Sequence, residues 1–126
     1  MPIHESGEDY LESILKLQQQ GKAVRSIDVV TDLGYSKPSV SVGMKRLRES
    51  GYITVDEDGI ITLTGDGQAV AERIISRHRM LTEFFIRLGV SPDVAEKDAC
   101  KVEHDLSDET FSRLMAHAKR QTPPTE

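Results

Sequence analysis

With 126 residues, 37% hydrophobic and 29% charged, the chain has the length of one medium domain or of two small lobes sharing a helix. No stretch approaches the roughly 18 consecutive apolar residues of a membrane span, the first residues lack the basic and apolar runs of a secretory signal, and one cysteine excludes an internal disulfide. No membrane partner is therefore expected, and a reducing cytoplasm is the expected location. The net charge of −5 would argue against nucleic acid only if the charge were evenly spread, and it is not.

Between Gly7 and Gln20, Tyr10, Leu11, Ile14, Leu15 and Leu17 recur at helical spacing, and Gly21 closes the helix. Asp9 and Glu12, three apart, share one edge of it. Acidic residues in a first turn also complement the helix dipole, so this pair alone does not announce a site. Ser26 reads as the N-cap of a short second helix carrying Ile27, Val29, Val30 and Leu33, which Gly34 stops. Ser36, with Pro38 near the first helical position, starts a third helix through Val40, Met44 and Leu47 to about Ser50.

Two helices joined by a tight glycine-containing turn form a helix-turn-helix, whose second helix enters a DNA major groove with its early residues toward the base edges. Lys37, Lys45, Arg46 and Arg48 crowd that helix against the single acid Glu49. Clustered cations in an acidic protein are an electrostatic footprint for phosphate, although a merely solvated helix face has the same composition. The β-branched runs Tyr52-Ile53-Thr54-Val55 and Ile60-Ile61-Thr62-Leu63, parted by Asp56-Glu57-Asp58-Gly59, then predict a hairpin and so a winged helix. Its acidic tip is poorly suited to gripping phosphate. Ser36, Lys37, Ser39, Ser41 and Lys45 are the expected contacts to double-stranded DNA.

Asp66 is the expected cap of a long helix from Gly67 to about Leu88, with His78 in its middle. Ser91-Pro92 restarts the chain as a helix to about Asp105, and Ser107 caps a last one bearing Phe111, Leu114, Met115 and Ala118. Within Ala99-Cys100-Lys101-Val102-Glu103-His104, helical spacing puts Cys100, Glu103 and His104 on one face. A thiolate, a carboxylate and an imidazole form a divalent-metal ligand set in which sulfur favours iron, cobalt, nickel or zinc over magnesium or calcium. The plainer alternative is a small buried cysteine beside two solvated side chains.

Glu8-Asp9-Tyr10-Leu11-Glu12, Ser36-Lys37-Pro38-Ser39-Val40-Ser41, Leu63-Thr64-Gly65-Asp66-Gly67, Arg77-His78-Arg79 and, most specifically, Ala99-Cys100-Lys101-Val102-Glu103-His104-Asp105-Leu106-Ser107 together resemble the diphtheria toxin repressor family of metal-dependent transcriptional regulators. That family includes the iron-dependent repressors and the manganese transport regulator. The resemblance implies a homodimeric repressor that binds operator DNA when loaded with Fe²⁺ or Mn²⁺, with Co²⁺, Ni²⁺ or Zn²⁺ able to substitute in vitro. Carried over by position, the regulatory ligands fall on Asp9, Cys100, Glu103 and His104, and in the manganese branch on Glu12 and His78 as well. Pro38 joins the family's base-contacting turn.

Asp9 follows the manganese branch, where iron-type repressors have Met, while Cys100 follows the iron branch, where the manganese branch has a carboxylate. Thr82 and Glu96 stand where iron-type repressors place ancillary-site Glu and His. The SH3-like carboxy-terminal domain of the larger members is not expected here. The predicted fold is mainly α: a winged helix-turn-helix DNA-binding domain over 1–66, an all-helical metal-binding and dimerisation domain over 67–120, and a flexible tail over 121–126.

Two rival functions make different demands. A winged-helix regulator that uses no metal, sensing a small organic ligand or nothing, predicts DNA affinity indifferent to chelators, whereas the metal-dependent reading expects no small organic ligand. A metal-dependent phosphohydrolase is suggested by His78 with His104-Asp105, but a catalytic metal needs an open coordination position and a placed water, and the winged helix would have no purpose. Cys100 has no evident oxyanion hole or orienting acid, so a nucleophilic enzyme is not expected either.

Overall fold

A computed structural model describes residues 5–121. Six helices and a two-stranded sheet follow in the order α1 (Glu5–Gln19), α2 (Ser26–Leu33), α3 (Lys37–Glu49), β1 (Ile53–Val55), β2 (Ile61–Leu63), α4 (Gly65–Arg87), α5 (Pro92–Val102) and α6 (Asp108–Gln121). The chain divides into two compact units, Met1–Ile75 and Ser76–Glu126, the boundary falling inside α4. Of the expected tail, Gln121 is the last residue of α6, and 122–126 lie outside the described residues. Among the described residues no helix is long and apolar enough to cross a membrane.

The first unit is built around α1, on which Tyr10, Leu11, Ile14, Leu15 and Leu17 are all buried. Val24, Val29 of α2, Val40, Met44 and Leu47 of α3, Ile53 and Ile61 of the hairpin and Ala71 of α4 complete one core. Each large aliphatic side chain removed from water there stabilises by about 1.5–3 kcal/mol. The strands are antiparallel in the register Ile53↔Leu63, Thr54↔Thr62, Val55↔Ile61, which turns the isoleucines inward and the threonines outward. Ile61 also donates its N–H to the Val24 carbonyl at 2.8 Å, so the segment before α2 borders the second strand.

Two caps differ from expectation. Arg25 rather than Ser26 occupies the N-cap of α2, and the Asp28 carboxylate reaches back to accept the Arg25 N–H at 2.9 Å. α4 starts two residues early because Thr64, not Asp66, caps it: its hydroxyl accepts the Gly67 N–H at 3.2 Å and donates to the Gly51 carbonyl at 2.7 Å. Gly34 does end α2, in the left-handed conformation (φ 73°) that a side chain would disfavour.

The second unit buries Leu81, Ala95, Ala99 and Ala118. Ala95 and Ala99, four apart on α5, share the face that packs inward. Arg77 is buried with them and donates to the carbonyls of Glu103 (3.2 Å) and Leu106 (3.1 Å) and to the Asp108 carboxylate (2.8 Å). Its guanidinium lies 4.5 Å from the centre of the Phe111 ring. α5 consequently ends at Val102, three residues before the expected Asp105, and a short turn leads to α6, capped by Ser107 accepting the Thr110 N–H at 3.1 Å.

Candidate metal centre and DNA-reading face

In the second unit, α4 carries His78 and α5 carries Cys100, with Glu103 as the C-cap of α5. Glu103 keeps helical backbone angles (φ −58°, ψ −28°) and donates its N–H to the Ala99 carbonyl, so the three-residue spacing from Cys100 does place both on one side. One donor atom from each of His78, Cys100 and Glu103 lies within 4.8 Å of the other two. Cys100 is exposed, His78 half-buried and the Glu103 side chain fully buried. His78 Nδ1 sits 2.8 Å from Glu103 Oε2.

His104 arrives by a different route from the one its spacing suggests. It lies past the end of α5, in the turn that Arg77 holds, and its Nε2 is 3.4 Å from Glu103 Oε1. The Glu103 carboxylate therefore stands between two imidazoles. A carboxylate removed from water needs positive charge or strong donors around it. Imidazole, thiolate and carboxylate together are a borderline-to-soft donor set, suited to a first-row divalent ion rather than to Mg²⁺ or Ca²⁺. The residues present fit such an ion. Thr82 donates its hydroxyl to the His78 carbonyl at 2.8 Å, within its own helix.

Asp9 and Glu12 belong to the first unit. Asp9 accepts the Tyr35 hydroxyl at 2.8 Å, and Glu12, 7% exposed, pairs with Lys16 at 3.2 Å. Next to Asp9, the Tyr10 hydroxyl donates to the Ser39 carbonyl at 3.3 Å. Burial, and secondarily the charge of Asp9, push the Tyr10 phenol above its ordinary range, so it remains a donor at neutral pH. Neither Arg77 nor Tyr35 was marked by spacing. Their partners lie 26 to 31 residues away, beyond the reach of any local pattern.

α3 has two distinct sides. Val40, Met44 and Leu47 face the core, while Ser36, Lys37, Pro38, Ser39, Ser41, Lys45, Arg46 and Arg48 are all exposed. Ser36 caps the helix by accepting the Ser39 N–H (3.2 Å), and it donates its own proton to the Ser39 hydroxyl (2.8 Å). The Ser39 and Val40 N–H groups are both taken by Ser36 and Pro38 has none, so what the start of α3 turns to solvent is side-chain hydroxyls and the Lys37 ammonium rather than a row of open N–H groups. At the hairpin tip, Asp56 accepts from the Asp58 and Ile60 N–H groups, and the acidic turn stays exposed.

Comparison with known proteins also divides the chain in two, ahead of α4 rather than within it. Residues 3–60 match the model described as "Iron dependent repressor, N-terminal DNA binding domain", and residues 64–122 match "Iron dependent repressor, metal binding and dimerisation domain". The transcriptional regulator MntR of Salmonella typhimurium is 34% identical over 113 residues, spanning 90% of this chain and 72% of that protein. Among solved structures, a manganese-dependent transcriptional repressor in complex with manganese is 29% identical with a TM-score of 0.81, over 90% of this chain and 52% of that one. The manganese regulator SloR is 26% identical with a TM-score of 0.79, over 94% and 55%. The chain spans about half the length of these solved regulators.

Proposed function

The chain belongs to the iron dependent repressor family, and we propose that it is a DNA-binding transcriptional repressor whose grip on an operator depends on a bound divalent metal, Fe²⁺ or Mn²⁺. The observation that carries this reading is the convergence of His78, Cys100 and Glu103 donor atoms within 4.8 Å. His104, against the other oxygen of Glu103, joins them in the proposed ligand set. Asp9 and Glu12 complete it on the strength of the family pattern Glu8-Asp9-Tyr10-Leu11-Glu12.

A bound divalent ion supplies the positive charge that a thiolate and several carboxylates need in order to share one place. The protein's own residues do the rest. Arg77 fixes the turn from Glu103 to Leu106 by its carbonyls, which sets where the Glu103 and His104 side chains start. His78 restrains the Glu103 carboxylate through Nδ1. Ser36, Lys37, Pro38, Ser39, Ser41 and Lys45 are the proposed DNA contacts, supported by their exposure on the outer side of α3. Their hydroxyls and ammonium groups suit phosphate and base edges.

A homodimer is proposed for the operator-bound form, with the exposed Met80, Ile86, Leu88 and Val94 of the second unit as apolar surface for the partner copy. A reducing cytoplasm is the proposed location, supported by a single cysteine in the sequence and by DNA as the proposed partner. Selection from an operator library, followed by fluorescence anisotropy with Fe²⁺ (anaerobic), Mn²⁺, Zn²⁺ or chelator in parallel, tests the function. Metal is expected to tighten DNA binding at least about tenfold, a coupling ordinary for linked sites. Glu103→Gln should abolish that response while leaving metal-free binding in place. Equal affinity with metal and with chelator would return the metal-free regulator as the better reading.

A further inference from the structure

The geometry points to Tyr35 as a positioning residue that orients the Asp9 carboxylate and ties it to the turn from which the DNA-reading helix starts. This rests on the proposal above that Asp9 is a metal ligand. Tyr35 stands between Gly34, the C-cap of α2, and Ser36, the N-cap of α3. Its hydroxyl donates to Asp9 Oδ2 at 2.8 Å, across 26 residues of sequence. A carboxylate with one oxygen held by a phenol is restrained about its terminal torsion, which is what hydrogen bonds to ligating side chains do at metal sites.

Three neighbouring contacts make this link stiff. The Tyr35 and Tyr10 rings meet edge to face, 5.8 Å apart at 77°. The Tyr10 hydroxyl reaches the Ser39 carbonyl, in the first turn of α3. The Tyr10 ring also lies where a Cβ on residue 43 would stand, and Gly43 leaves that space open. Asp9 and the start of α3 are thereby joined twice, through the Tyr35 hydroxyl and through the adjacent Tyr10. Tyr35 is 38% exposed, so its ring is only partly withdrawn from water.

Tyr35→Phe keeps the ring and removes only the donor. The readouts are thermal unfolding, Co²⁺ affinity followed by the thiolate charge-transfer band, and DNA affinity with chelator and with saturating Co²⁺. The unfolding midpoint is expected to fall by no more than a few degrees, and chelator-state DNA affinity to stay within about twofold of wild type, because no core atom is lost. Co²⁺ affinity should fall about tenfold, in line with the loss of a hydrogen bond to a ligand. The factor by which saturating Co²⁺ tightens DNA binding should fall about fivefold or more, since that factor is the coupling itself. In an Asp9→Ala background, Tyr35→Phe should change neither quantity further.

A Tyr35→Phe protein with wild-type Co²⁺ affinity and coupling overturns the inference, and so does an effect that persists in the Asp9→Ala background. Wild-type DNA binding indifferent to Co²⁺ and Mn²⁺ overturns the functional reading itself, and the inference with it. Metal-responsive wild type whose Co²⁺ affinity ignores Asp9→Ala removes Asp9 from the ligands and overturns the inference alone.

Discussion

Arg77 shows how one side chain can decide the shape of a site it does not enter. It is 7% exposed, and its Nε has no hydrogen-bond partner among the described residues, so its role is concentrated in the two terminal nitrogens. Those nitrogens hold two carbonyls and one carboxylate, and the carboxylate of Asp108 is itself largely in water. Most of the value therefore lies in the buried carbonyls, which would be left without donors on truncation. Arg77→Ala is expected to lower stability by about 2–4 kcal/mol in urea unfolding of the full chain. Arg77→Lys should recover only part of this, because an ammonium cannot reproduce the planar fork. Wild-type stability in Arg77→Ala would mean that the turn is held by something else.

At the scale of elements, α2 is the shortest of the described helices. It has eight residues, one buried side chain, Val29, and an N-terminus satisfied by Asp28. The Arg25 N–H hydrogen bond, outweighing partial burial and aided by Lys22, holds the Asp28 carboxyl below the usual carboxylate range. A depressed folded-state pKa stabilises above the unfolded value, and that contribution disappears as pH falls through the folded one. Asp28→Ala should cost about 1 kcal/mol near neutral pH. The gap between wild type and variant should close as the pH drops below the ordinary range of aspartate. A gap that stays constant with pH, measured by denaturant titration, would show that charge at residue 28 is irrelevant to the cap.

Much of the element order was readable from apolar spacing and from Ser36-Lys37-Pro38, because those signals act within a turn or two of helix. The exceptions have one cause. Thr64 and Asp66 are both able caps, and the Gly51 carbonyl, thirteen residues back, favours Thr64. The continuation of α5 to Asp105 was equally plausible locally, yet Arg77 draws the carbonyls of Glu103 and Leu106 into a turn. The same limit applies to the site. Cys100 and Glu103 meet by helix geometry, whereas His78 meets Glu103 across 25 residues and Tyr35 meets Asp9 across 26. Only resemblance to a family pointed toward His78 and Asp9, and nothing pointed toward Tyr35.

For the whole molecule, a repressor reading two half-sites needs two recognition helices at a fixed spacing of one DNA turn or a multiple. Leu88 at 66% exposure, with Ile86 and Val94, is the apolar surface this reading assigns to the partner copy. Leu88→Glu is expected to shift sedimentation equilibrium toward monomer and to weaken operator binding more than tenfold, since one half-site then has to bind alone. Its effect on Co²⁺ affinity in the absence of DNA should be small. A dimer of unchanged stability would move the interface to another face.

The absent side chain at Gly43 has a consequence for how such a protein diversifies. The Tyr10 ring occupies the room a methyl group would need, so the distance between α1 and α3 is set by direct apposition and leaves no margin for substitution on that side. With the DNA contacts proposed above, heritable change in operator preference is then channelled to the outward positions Lys37, Ser41 and Lys45, which are exposed and carry no share of the core. A lineage can rewrite what it recognises there while the scaffold beneath stays as it was.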